Sequence, residues 1–153
     1  MAHAVFERLD ELAGKAGQEI AVSDWLEVTQ QRINDFADAT GDHQWIHVDV
    51  ERARRDSPFG APIAHGFLTV SLLPYFADQS LEFRNSKMGV NYGFNRLRFT
   101  SPVKAGSRLR ARFTLKECQT IEGGVQLIWN IVMECEGEAK PVLVAEWVSR
   151  RYA

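Results

Sequence analysis

The chain has 153 residues, of which 45% are hydrophobic and 25% charged. That is the balance of a globular chain rather than a disordered one, and length enough for one domain, 1–153, with a substantial core. A formal net charge of −2 leaves no basic field to attract a phosphate backbone, so nucleic acid is not an expected partner.

The opening segment carries Glu7, Arg8, Asp10 and Glu11 and lacks the apolar run of a secretory signal, which makes the cytoplasm the expected location. Val5, Phe6, Leu9, Leu12 and Ala13 recur at helical spacing and stop at Gly14 and Gly17, predicting a short N-terminal helix. A second helix is expected from Thr29, a natural N-cap, through the face of Ile33, Phe36 and Ala37 to Gly41, which suits the left-handed position past a helix end. Asp42 then opens a loop, and Asp49 is a candidate cap for a further turn through Val50, Ala53 and Arg54.

Ser57 to Ala77 holds no formally charged residue. Pro58, Pro62, His65 and Pro74 inside it argue for a loop and then a buried helix from about His65 to Ala77, not a membrane span. Past Lys87 the apolar period changes from 3.6 to 2. Strands are predicted near Gly89–Phe99, Ser107–Glu117, Gly124–Cys135 and Pro141–Arg151, separated by turns rich in Gly and Pro. Helices gathered in the first half and four consecutive strands in the second make the fold class α+β, one buried helix cradled by an antiparallel sheet. Arg108, Arg110 and Arg112 alternate with apolar residues, as on the solvated face of a strand, with a patch for an anionic ligand or coenzyme as the alternative. Cys118 and Cys135 lack metal or redox spacing and read as reduced thiols.

Three of the four histidines fall in or near Gly41-Asp42-His43-Gln44-Trp45-Ile46-His47 and, eighteen residues on, His65-Gly66. On a continuous α-helix Asp42 and His47 would diverge by about 140°, so they meet only if the chain turns between them. A carboxylate and an imidazole at one water can take and return a proton, which is hydration chemistry. The amide of Gly66, at the start of the apolar helix and unobstructed by a side chain, is the oxyanion candidate. Each residue also has a plainer reading: Asp42 as a turn former, His47 as a hydrogen-bonded core histidine, His65 as a helix-start residue, Gly66 as a packing position. His43 and His47 at i, i+4, completed by Asp42 or His65, would suit a metal on a helix; Gly41 and the weak helix formers between them speak against one, and no metal is expected. No nucleophile elbow, dinucleotide loop or phosphate-binding loop is present.

The run Phe36-Ala-Asp-Ala-Thr-Gly41-Asp42-His43-Gln44-Trp45-Ile46-His47 resembles the signature of the MaoC-like, (R)-specific enoyl-CoA hydratase family, in its NodN-like branch. Pro62-Ile-Ala-His65-Gly66, Asn91-Tyr-Gly-Phe94, Arg96-Leu-Arg-Phe99, Pro102-Val and Gly106-Ser are similar to its later blocks. The resemblance implies a hot-dog fold, a homodimer formed through edge strands, and an α,β-unsaturated acyl thioester of coenzyme A as substrate, with no other cofactor. It carries Asp42 and His47 over as the catalytic pair and Gly66 as the amide at the thioester carbonyl, with His65, Gln44 and Trp45 expected at the substrate. Gln44-Trp45 stands where the family has Asn-Pro, so a short amide contact and a rigid turn are lost, and the indole is placed to narrow the acyl channel. The rival readings are a hot-dog thioesterase and a non-catalytic acyl-thioester-binding subunit.

Overall fold

The computed structural model describes residues 3–153. Five strands form an antiparallel path: β2 (Glu19–Val22), β6 (Arg108–Ile121), β7 (Gly124–Cys135), β8 (Leu143–Tyr152) and β5 (Met88–Phe99), with β3 (Leu26–Glu27) paired beside β2 on β6. The four long strands are those that the alternation predicts. Their order adds what periodicity cannot give: β6, β7 and β8 run as a meander, whereas β5 joins beyond β8, so consecutive β5 and β6 are not neighbours. Leu109, Ala111, Phe113 and Leu115 on β6 pair with Cys135, Met133, Ile131 and Trp129 on β7, putting one continuous apolar face inward.

The helical layer follows local chemistry closely. Thr29 accepts from the Arg32 amide to start α1 (Gln30–Thr40), and Gly41, at φ 85°, ends it in the left-handed region. Asp49 caps α3 (Val50–Asp56) through the Arg52 amide, after the single turn α2 (Trp45–Val48). The apolar helix departs from expectation in two ways. It is two segments, α4 (Gly66–Ser71) and α5 (Leu73–Ser80), parted at Leu72 because Pro74 opens the second and cannot donate to the first. It is also not wrapped on all sides: Leu68, Leu73, Phe76 and Ala77 enter the core, but Phe67 is 70% and Tyr75 43% exposed.

The predicted N-terminal helix is instead β1 (Ala4–Phe6) followed by a 3-10 turn over Leu9–Gly14. Strand β1 pairs in parallel with β4 (Leu81–Phe83), and Phe6 stacks on Phe83. A remote strand thus overrides a short helical pattern. The arginine row is solvated as expected and is also paired: Arg110 and Arg112 share Glu134, and Arg108 meets Glu136. Both cysteines are free. Among the described residues no helix is long and apolar enough to cross a membrane.

Candidate active site

The turn that the sequence requires between Asp42 and His47 is present. Gly41 stops α1, the Asp42 carboxylate accepts from the Gln44 amide at 3.3 Å, and the short α2 brings His47 back under the loop. Asp42, His47 and His65 each present one nitrogen or oxygen such that all three atoms lie within 4.8 Å of one another. Asp42 is exposed, while His47 and His65 are buried at 7% and 2% exposure. A solvated carboxylate therefore stands at the mouth, with two desolvated imidazoles behind it.

Hydrogen bonds fix the tautomers. His47 Nδ1 lies 2.6 Å from the Ile63 carbonyl oxygen, and because a carbonyl can only accept, Nδ1 carries the hydrogen and Nε2 of the neutral ring holds a lone pair. Burial lowers the His47 pKa from its ordinary value, outweighing the Ile63 hydrogen bond and the attraction of Asp42 that favour the charged ring. Burial thus favours the neutral ring, with the Nε2 lone pair open.

His65 Nε2 donates to the Asp42 backbone carbonyl at 3.0 Å, and its ring stacks on His47 with centroids 3.9 Å apart. Phe36 closes its flank at 4.9 Å. This residue, which reads from sequence as a helix-start position, holds the backbone of one catalytic candidate and the ring of the other. Its Nδ1 is buried with no partner among the described residues. No sequence feature marks Ile63, since every residue has a carbonyl and nothing shows which one a histidine will use.

Gly66 is the first residue of α4, so its amide has no intrahelical acceptor. A Cβ there would lie 3.0 Å from the Phe99 ring. Gly66, Phe99, Ile63, Thr69 and Val103 are among the walls of a groove of about 360 Å³. Asp42 and His47 are not among those walls; Ile63 connects the two, since its carbonyl accepts from His47 and the residue also lines the groove. Gln44 is exposed and makes no capping bond, and Trp45 lies under the Arg52 guanidinium at 4.2 Å. His43 faces away, to Asp38 at 2.9 Å, so the i, i+4 pair with His47 does not form.

The chain matches the MaoC-like domain over residues 11–131. It is 48% identical over 149 residues to 3-hydroxyacyl-thioester dehydratase Z of Mycobacterium tuberculosis, covering 97% of this chain and 98% of that one. Nodulation protein N of Rhizobium meliloti is 46% identical over 143 residues, covering 92% of this chain and 89% of that one. In three dimensions the chain superposes on a MaoC-like dehydratase from Rhodospirillum rubrum with a TM-score of 0.77 at 20% identity, covering 96% and 97% of the two chains, which shows the hot-dog fold. Sequence match and architecture agree: the chain belongs to the MaoC-like dehydratase family.

Proposed function

We propose that the protein hydrates an α,β-unsaturated acyl thioester, and in reverse dehydrates the (R)-3-hydroxyacyl thioester, with Asp42 and His47 as the acid/base pair. The observation that carries this reading is the convergence of the three side chains within 4.8 Å, with the His47 lone pair fixed on Nε2 by Ile63. Water held between the carboxylate and the imidazole gives a proton to the pair, its oxygen bonds to C3, and a proton is delivered to C2. The site ends unchanged. Negative charge that develops on the thioester oxygen is met by the Gly66 amide, and coenzyme A is the carrier. Water addition changes no net oxidation state, so the step calls for no redox cofactor. The mycobacterial relative, a 3-hydroxyacyl-thioester dehydratase, supports the same chemistry.

The exposed edge of β5 supports a homodimer. The strand pairs only with β8, leaving its outer edge unpaired among the described residues, and it exposes Met88, Tyr92, Phe94 and Phe99. An exposed edge strand with apolar side chains is a template for pairing with another chain, and a second copy pairing along it would form a homodimer. The deciding assay presents enoyl-CoA and saturated acyl-CoA of several lengths. Loss of the conjugated double bond with the thioester intact is expected. Free thiol from the saturated substrates would establish a thioesterase instead, and tight binding without turnover a non-catalytic subunit.

A further inference from the structure

At the far end of β5 from Gly66 is a second cavity, of about 300 Å³, between α5 and the inner face of the sheet. Ten residue steps of strand separate Gly89 at this cavity from Phe99 at the first groove, roughly 30 Å at strand rise. Its walls include Phe83, Trp129 and Trp147, which are apolar, together with Ser149 and Arg151. On β8 the inward register runs Leu143, Ala145, Trp147, Ser149, Arg151, so the last two places of an apolar face are taken by a hydroxyl and a guanidinium.

Arg151 differs from the paired arginines of the sheet, and from Arg96, which is exposed. Arg108, Arg110 and Arg112 have glutamates within ion-pair distance, and Arg150 donates to Gln126. Arg151 is half-buried, lies over the Phe83 ring at 4.4 Å, and has no hydrogen-bonded acceptor for its side chain among the described residues; Asp78 acts on it only at longer range. Burial works against its charge, yet a guanidinium stays protonated, and desolvated N–H donors without acceptors are costly. Gly89 makes the placement possible: a Cβ there would lie 2.8 Å from the Arg151 Cζ. The cation is therefore held between an aromatic face and a bare backbone, with its donors free to face the cavity.

We propose that this cavity is a binding site for a small monocarboxylate with an apolar body. The planar guanidinium matches a carboxylate in two parallel hydrogen bonds, the aromatic walls suit a short hydrocarbon part, and the volume is at the small end of ligand pockets. Asp78 on the rim sets the charge: beside one arginine and one aspartate, a single negative charge is accommodated better than the double charge of a phosphate. The site lies at the opposite end of β5 from Gly66, and its assignment does not depend on the function proposed there.

The test is calorimetric titration of the whole protein with hexanoate, hexanol and inorganic phosphate. Saturable binding of hexanoate is expected, with hexanol and phosphate at least tenfold weaker. Arg151→Met and Gly89→Ala should each weaken hexanoate at least tenfold, the second by displacing the flexible guanidinium without removing it, while Asp42→Asn leaves the affinity unchanged. The proposal is overturned by an absence of hexanoate binding, by hexanol or phosphate binding as tightly, by undiminished binding in both cavity variants, or by loss of binding in Asp42→Asn.

Discussion

Replacing Gly66 by alanine separates a packing glycine from one that keeps a path open to its amide. The added methyl carbon would lie 3.0, 3.0 and 3.1 Å from three carbons of the Phe99 ring, so the ring must retreat by roughly half an ångström to reach ordinary contact. Phe99 is 48% exposed and meets Phe67 edge-on, so it can swing outward. The strain then falls at or below the low end of the ~1–3 kcal/mol typical of overpacking. Against it stands the ~0.4–1 kcal/mol that alanine gains over glycine by restricting the unfolded chain. The two nearly cancel, and the melting temperature should move by no more than about 4 °C. Turnover should fall far more. The methyl group enters the groove beside the amide, and losing one oxyanion donor costs about 100- to 1000-fold in kcat. Thermal melting and the decay of enoyl-thioester absorbance measure both effects on one preparation. A Gly66→Ala protein of native stability and native kcat would refute the oxyanion role.

Other consequences follow from the core and the buried imidazole. Phe76 is fully buried against the sheet, and Phe76→Ala should cost about 3–5 kcal/mol, read as a lowered denaturation midpoint with an unchanged slope. His47 has a folded-state pKa below its ordinary value, so the unfolded chain takes up the proton first. Stability should therefore decline as pH falls through and below the usual imidazole range, and His47→Gln should flatten that part of the profile. The rate should fall over the acid side of the same range, because protonation fills the Nε2 lone pair.

Much of this was legible in the residues because it is locally determined. Thr29, Gly41 and Asp49 act as caps at the positions where their chemistry predicts them, and the inward residues of β6 and β7 alternate as the strand period requires. What escaped is set by distant partners. Ala4–Phe6 is a strand only because Leu81–Phe83 lies beside it, and β5 leaves the meander for the far side of β8 for reasons that no period records. At the site, the chemistry-bearing residues Asp42 and His47 stood out as a cluster, and the need for a turn between them followed from helix geometry. The stacking of His65 on His47 and the choice of the Ile63 carbonyl could not be read, since both depend on the approach of a loop sixteen or more residues downstream.

The most direct test of the central claim is kcat for enoyl-CoA hydration by Asp42→Asn and by His47→Ala, beside the parent protein. Asp42 is exposed, so the amide should leave folding intact, and each variant should lose about 100-fold or more in kcat if the pair exchanges protons with the substrate. An Asp42→Asn protein hydrating at the parental rate would contradict the account.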